Sequence, residues 1–389
     1  MRLGELKQII QNCGVVGAGG AGFPTHLKLD ARAETILLNC AECEPLFTAH
    51  QRLLARYTDE ILSALRTLTE VLDASAVIAV KKSHTETVRV VREKIYGERS
   101  RQEAPVRGIQ GSGVRLALLE DAYPAGDEIL LVYEALGFVP PPGTFPLDAG
   151  CVVLNVETVY NIHNALAHGT PVTHKWLTVA GAVARPVTAR LPLGTTAGEA
   201  VRYAGGAAGD DLVFLMGGPM MGRIVPPSEP ITKTTNAVLV LPGDHTLARR
   251  SAANPSAEIK RAASACCQCR ACTDMCPRYL LGYPVEPHRV MRAVNARGAD
   301  AEAFRGTLYC SLCGLCEKYA CPQSLAPRSL MRLVKTALTQ AGIKPEKREA
   351  APVSSVRACR RVSGSRLTAR LGLAGYDLDA PMREDGDLS

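Results

Sequence analysis

Leu3, Leu6, Ile9 and Ile10 recur at the spacing of one helical face and lead into a glycine-rich stretch from Gly14 to Gly22. The short apolar run 35–39 has strand length, and a helix-like segment follows near Leu53 to Leu72. Ala76 to Val80 predicts a second buried strand, Ser83 to Tyr96 a helix, Gly126 to Leu136 another helix, and Cys151 to Asn155 a third strand. Strands alternating with helices argue for a mostly parallel sheet covered on both faces. From Trp176 the pattern shifts to short strands at 177–180, 187–191, 212–215 and 237–241, with one short helix near Gly198 to Ala204. Residues 256 to about 342 read as helices that carry cysteines, including a helix-like run from Pro287 to Ala296. The expected division is an α/β domain at 1–170, a small β-rich domain at 171–245, a helical domain at 246–345, and a partly disordered tail at 346–389, rich in Arg, Pro, Ser and Gly.

Composition narrows the class. Of 389 residues, 47% are apolar and 21% charged, which fits packed domains and excludes a disordered chain. No apolar run approaches the roughly 18 residues of a membrane span, and the first residues lack a signal-like apolar core. A soluble cytoplasmic protein without a transmembrane segment is expected. The net charge of +7 is spread among interspersed acids, so no basic face for nucleic acid is expected.

Cysteine carries the first chemical signal. Nine of the 14 cysteines fall between Cys266 and Cys321, and in a reducing compartment such clustering points to metal rather than disulfides. Cys266, Cys269, Cys272 and Cys276-Pro277 follow the spacing that ligates a [4Fe–4S] cluster in bacterial ferredoxins. Cys310, Cys313, Cys316 and Cys321-Pro322 repeat it with one extra residue before the last cysteine. Because the fourth cysteine of such a run serves the other cube, one cluster would take Cys266, Cys269, Cys272 and Cys321, and the other Cys310, Cys313, Cys316 and Cys276. Structural zinc would favour separated pairs, so two cubes fit two triplets better. Cys267 is a surplus thiol.

Gly17, Gly19, Gly20 and Gly22 satisfy a G-x-G-x-x-G pattern, but a helix precedes it and Phe23-Pro24 follows, so a standard dinucleotide fold is a poor fit. The glycines still allow close backbone approach to a ligand and a cradle of N–H groups.

Four ordered segments then resemble a known family: Gly19-Gly-Ala-Gly-Phe-Pro-Thr25 with Lys28, Asn39-Cys-Ala-Glu-Cys-Glu-Pro45, Tyr123-Pro-Ala-Gly-Asp-Glu128 and Asn155-Val-Glu-Thr158. They are similar to the FMN-binding motifs of the NADH-oxidising flavoprotein of respiratory complex I and of the RnfC protein of the Rnf complex. The nearest resemblance is to the RnfC-like corrinoid (cobalamin) reductases of propanediol-utilising microcompartments. The resemblance implies an α/β flavin-binding domain like that of the complex I flavoprotein, a small β-grasp (SLBB-like) domain, and an α-helical two-cluster ferredoxin domain. It implies FMN held by Gly17, Gly19, Gly20 and Gly22, with Lys28 near its phosphate or ribityl chain, and Asn39, Asn155 and Thr158 as neutral partners. Glu42 would sit catalytically where a nicotinamide stacks, Glu44 completes the acidic pair, and Asp127 and Glu128 would edge the same cavity. Gly217-Gly-Pro-Met-Met-Gly222 would be a structural turn.

The implied function is an electron-transfer oxidoreductase passing electrons from NADH through FMN and two [4Fe–4S] clusters to an acceptor. That acceptor would be a corrinoid or corrinoid-bearing enzyme, with microcompartment proteins as possible neighbours and the compartment lumen as a possible location. Two readings stay open beside it: a peripheral NADH-oxidising component of an Rnf-type membrane complex, and a non-enzymatic electron relay. Ala18 and Ala41, where the related motifs often carry Arg and an acid, give the relay weight.

Overall fold

The computed structural model describes residues 1–97, 113–251, 254–294 and 300–383. The first unit is a parallel sheet of β1 (Thr35–Cys40), β2 (Ser75–Lys81), β3 (Val114–Leu119) and β4 (Cys151–Asn155), in the order β3-β2-β1-β4. Helices α1 (Leu3–Asn12), α2 (Thr25–Lys28), α3 (Ala49–Arg56), α4 (Thr58–Leu72), α5 (Thr85–Tyr96), α6 (Glu128–Leu136) and α7 (Val156–His168) complete it. Both sheet faces are buried, which explains the unbroken apolar strands. Ile36 and Leu38 of β1 point into one core with Leu6, Ile10, Leu65 and Ile162, while Leu37 packs on the opposite face with Leu131 and Val132 of α6.

β3 and α7 extend the expected pattern. Asn155 closes β4 and caps α7, its side chain accepting the Glu157 N–H at 2.9 Å. Asp127 caps α6 in the same way, accepting from Ile129 N and Leu130 N.

The second unit is a six-stranded sheet of β5 (His174–Gly181), β6 (Val187–Pro192), β7 (Leu212–Met216), β8 (Arg223–Val225), β9 (Ala237–Pro242) and β10 (Met382–Arg383), ordered β10-β6-β5-β9-β7-β8. β5 and β9 pair in parallel, and α8 (Ala197–Tyr203) covers one face through Ala197, Ala200 and Val201. The third unit is helical: α9 (Thr246–Ser251), α10 (Pro255–Ala265), α11 (Ala271–Asp274), α12 (Pro277–Leu280), α13 (Pro287–Ala293), α14 (Ala301–Gly306) and α15 (Pro327–Gln340), followed later by α16 (Gly364–Arg370). Four of these begin with Pro at the first helical position, where its missing N–H costs nothing. Residues 295–296 of the expected 287–296 helix lie outside the described residues. Among the described residues no helix is long and apolar enough to cross a membrane.

The segment after residue 345 departs from the expected partly disordered tail. Residues 346–361 thread between the first and third units: Arg348 N donates to Pro142 O, Ser354 N to Leu280 O, and Arg357 and Arg361 both pair with Glu134. Val362, Leu367, Leu371 and Leu373 are then buried against Leu239, Leu241 and Leu315, covering the second face of the β-grasp sheet. β10 finally adds a parallel strand beside β6. A polar, Arg-rich composition concealed these few apolar anchors, whose cost of ordering is offset by an otherwise bare sheet face. Residues 384–389 of the expected tail lie outside the described residues.

Leu367 is fully buried, so Leu367→Ala is expected to cost about 2–5 kcal/mol and lower the thermal midpoint. An unchanged midpoint would mean that the segment is not docked.

Candidate functional site

The order β3-β2-β1-β4 places a topological switch point between β1 and β4, because the chain leaves β1 toward β2 on one side and returns to β4 on the other. Ligands of open parallel sheets bind outside the carboxyl ends of the strands at such a point. Asn39 and Asn155 occupy those two ends and are register partners. Asn39 is held in place from both sides: its Nδ2 donates to Gly126 O at 3.0 Å and its Oδ1 accepts from Ala41 N at 3.1 Å.

The glycine loop lies over the β4 side of this crevice. Gly17 N donates to Phe23 O and Gly22 N to Gly17 O, which closes the loop on itself. Ala18 N donates to Thr158 Oγ1 at 2.9 Å, tying the loop to the first turn of α7. A Cβ at Gly19 would lie 3.3 Å from the Asn155 amide, so a larger side chain here would press on that residue. Gly20 (φ +119°) has only the Asn236 amide near its absent Cβ, at 3.7 Å, and its backbone suits glycine. An exposed loop bearing glycines beside two neutral amides, with the N-terminus of α7 below, fits the ribityl phosphate and ring edge of a flavin mononucleotide.

The β-grasp unit forms a second wall, through residues that sequence reasoning missed. Lys175 at the start of β5 is 1% exposed and pairs with the equally buried Glu157. Its Nζ also donates to Asn236 Oδ1 at 3.1 Å and reaches Ala18 O of the glycine loop at 3.4 Å. Glu157 accepts in turn from Trp176 N at 3.0 Å. Burial raises the Glu157 carboxyl, and the Lys175 charge opposes that rise. Lys233 Nζ donates to Gly14 O at 2.6 Å, a further tie between the β-grasp unit and the chain entering the loop. Glu157 lies inside the motif Asn155-Val-Glu-Thr158, and a lone Lys heading an apolar strand was the other available signal.

Each acid of the motifs has a structural partner. Glu42 (φ +25°) has a side chain 1% exposed, and both carboxylate oxygens accept N–H groups of α3, from His50 at 2.8 Å and Gln51 at 3.1 Å. Burial raises its pKa while those two N–H bonds lower it. Glu42 thus meets the first turn of α3, where a carboxylate finds orphan donors and the positive end of the dipole. Glu44 is half-buried under the Gly217–Gly222 turn, accepting from Met220 N at 2.9 Å, and desolvation of its carboxyl pushes it up to about 7. The turn's glycines are required there, since a Cβ on Gly218 would fall 2.2 Å from Glu44. Asp127 caps α6 and pairs with Arg278 at 2.9 Å, with both side chains mostly buried. Glu128 is half-exposed and pairs with Lys28 at 2.8 Å, while Lys28 also donates to Val153 O. Lys28 and Glu128 thus pair beside β4, whereas Asp127 points to the helical unit.

His50 sits behind the crevice, its Nδ1 3.4 Å from Asn155 Nδ2 and its Nε2 buried without a partner among the described residues. Burial, reinforced by Lys175, pushes its imidazole down to about 3, so it is neutral at ordinary pH.

In the helical unit Cys321 comes near the first cysteine triplet and Cys276 near the second. Cys272 is pushed up to about 12 by burial and then by the thiols of Cys321, Cys266 and Cys269, and these four line one cavity. Cys276 is raised by burial and then by Cys310 and Cys313, and Cys316 by burial and then by Cys313, Cys310 and other groups including Cys276. The two loops share a backbone pattern. Gln268 and Arg270 in one, Leu312 and Gly314 in the other, hold left-handed φ of 54°, 62°, 59° and 83° at matching positions around the middle cysteine. Backbone N–H groups meet sulfur in both sets, Leu312 N to Cys310 Sγ and Leu325 N to Cys321 Sγ, each at 3.3 Å. Four neighbouring thiols, two of them buried in each set, do not ionise together without a compensating cation, so the donor set suits a cluster rather than free thiolates. Cys267 is exposed.

Comparison with known proteins finds three family matches along the chain. Residues 10–164 match the Nuo51 FMN-binding domain, 177–224 the SLBB domain, and 265–326 a 4Fe-4S dicluster domain. The chain is 37% identical over 382 residues to a protein of Citrobacter freundii described as cobalamin reductase PduS, covering 97% of this chain and 81% of the relative. It is 38% identical over 384 residues to the protein of the same description from Salmonella typhimurium, covering 98% and 82%. Among solved structures, a chain of an NAD+-reducing [NiFe]-hydrogenase in the H2-reduced state superimposes with a TM-score of 0.55 at 19% identity, covering 100% of this chain and 68% of that one. At that identity it is the fold that is shared. The fold is therefore an FMN-binding α/β domain, an SLBB domain and a dicluster ferredoxin domain.

Two outcomes follow from the buried charges. Lys175→Met is expected to destabilise the protein by about 3–5 kcal/mol, because it strands Glu157, and Lys175→Met/Glu157→Leu to recover a large part of that loss in a double-mutant cycle read by denaturant unfolding. Additive losses would mean that the pair is not coupled. His50 binds no proton in the folded state until far below its unfolded value, so its contribution to stability is present above about pH 6.5 and is lost as pH falls toward the folded value near 3. Between about pH 6.5 and 5 the wild type should lose about 2 kcal/mol more than His50→Gln; parallel pH profiles would contradict the buried neutral imidazole.

Proposed function

The chain belongs to the family of cobalamin reductase PduS, and from that premise we propose that it oxidises NADH at FMN and passes the electrons through two [4Fe–4S] clusters to a corrinoid. A flavin takes two electrons as a hydride and yields them one at a time, while each cluster carries one, so the pair of cofactor types joins a hydride donor to a one-electron acceptor. The observation that carries this reading is the short segment Tyr123–Glu128. Gly126 O holds Asn39 at the crevice, Asp127 beside it holds Arg278, and Arg278 lies two residues from Cys276. One peptide stretch thus spans from the flavin crevice to a cluster set.

In this reading Gly17, Gly19, Gly20 and Gly22 let the backbone approach the flavin, and Asn39 and Asn155 offer neutral hydrogen bonds at the strand ends. Thr158 supports the loop through Ala18, and Lys28 supplies a cation at the crevice mouth once its exposed pair with Glu128 rearranges, at little cost. Glu42 and Glu44 act as positioning residues, the first on α3 and the second on the Gly217–Gly222 turn. Asp127 aligns the helical unit. Cys266, Cys269, Cys272 and Cys321 hold one cluster, and Cys276, Cys310, Cys313 and Cys316 the other. The acceptor is a corrinoid on a partner enzyme, and family membership supports residence near such an enzyme, in the cytoplasm or in a microcompartment lumen.

One observation favours a second reading. Glu42 faces α3 and not the crevice, which leaves the nicotinamide without the expected carboxylate and suits an electron relay fed by another protein. Anaerobic mixing of the FMN- and cluster-loaded protein with NADH distinguishes them. Bleaching of the flavin and then of the clusters, with reduction of added cobalamin, is expected. Full flavin occupancy with no bleaching by NADH would overturn NADH oxidation. Gly19→Val should weaken FMN binding at least tenfold, about 1.4 kcal/mol, without loss of the cluster absorbance.

A further inference from the structure

We infer that the two cysteine sets work in a fixed order: Cys276, Cys310, Cys313 and Cys316 receive electrons from the flavin crevice, and Cys266, Cys269, Cys272 and Cys321 deliver them to the outside. This order rests on the electron-transfer reading above and adds direction to it.

The first of these sets is walled by the flavin domain. Ile129 and Leu130 of α6 share a core with Cys276 and Cys310. Tyr123 OH, from the segment that reaches the crevice, donates to Cys313 O at 2.5 Å. Cys43, whose Sγ accepts from Gly126 N beside Asn39, packs in the same apolar cluster as Cys313. Arg278 is fixed to Asp127 on the far side of Cys276. The segment Tyr123–Asp127 thus joins the crevice to this set through Tyr123, Gly126 and Asp127.

The other set has the opposite surroundings. Cys321 shares its core with Ala262, Met291, Leu325 and Leu330, all of the helical unit, and among the described residues none of the flavin or β-grasp units joins them. Cys267, Gln268, Cys269 and Arg270 are exposed along one side, and Pro322 and Gln323 along another. Electron tunnelling falls steeply with separation, so the set joined to the crevice through the flavin domain takes each electron first and the set open to solvent gives it up. The electrons balance: NADH leaves as NAD+ after giving two electrons with one proton, the electrons cross both sets singly, two one-electron acceptors are reduced, and the proton returns to water.

The test uses the full-length, cofactor-loaded protein without oxygen, with Cys269→Ser to disable the outer set and Cys313→Ser the inner. In Cys269→Ser, NADH should still reduce the remaining cluster, seen by electron paramagnetic resonance, while reduction of cytochrome c falls at least tenfold. In Cys313→Ser the remaining cluster should be silent to NADH and reducible by dithionite. The reverse pattern, or NADH reduction of the remaining cluster in both variants, would overturn the order. A second measurement stands if serine strips both clusters or if NADH proves not to be the donor. In a Cys359→Ser background reduced with dithionite, a soluble paramagnetic complex should speed the relaxation of one cluster signal, and a nitroxide on Cys267 should broaden that same signal. Broadening of the signal that the soluble complex does not reach, or equal access to both, would contradict an exposed outer set.

Discussion

A carrier that splits a hydride into single electrons has to keep its cofactors at fixed, short separations, and here that constraint falls on the contact between the start of α6 and α12, which follows Cys276. The Asp127–Arg278 pair is mostly buried on both sides. Taking two charges out of water is costly unless geometry and further hydrogen bonds compensate. Asp127 has both: it caps α6 with one oxygen and holds Arg278 with the other, and Arg278 also lies over the Tyr283 ring. The pair specifies one orientation of the ferredoxin unit on the flavin unit. Apolar contact alone, through Ile129 and Leu130, would be less selective.

Lys175–Glu157 does the corresponding work on the other side of the crevice, holding the β-grasp unit against the glycine loop. The segment 346–383 fastens the assembly from behind, running from the flavin unit through the ferredoxin unit to the edge of the β-grasp sheet. The three units therefore share buried surfaces on every side of the crevice, and the loop that meets the flavin is positioned by residues from two of them.

Much of this was legible in the sequence because the relevant patterns are local. Apolar strands, cysteine intervals and the glycine run each declare themselves within a few residues. Contacts across long separations were not legible. Lys175 looks like a surface charge until its partner 18 residues away is placed beside it. Glu42 carries a family motif, yet its destination depends on where α3 begins. The helix at 156–168 was present in the periodicity of Val156, Val159 and Ile162, but the motif at Asn155–Thr158 drew attention to chemistry. The closing segment was hidden by its arginines, since four anchoring apolar residues are few against that background.

The polar residues of the flavin motifs each serve the fold as well as the crevice: Asn155 and Asp127 cap helices, Asn39 fixes the Gly126 turn, and Thr158 fixes the glycine loop. The most direct test of the account is the cofactor content of a single anaerobically prepared chain. Two cubes and one flavin require about eight iron atoms, about eight acid-labile sulfides and about one FMN per polypeptide. Zinc in place of iron, no labile sulfide, or iron for one cube only in an intact, fully folded chain would contradict it.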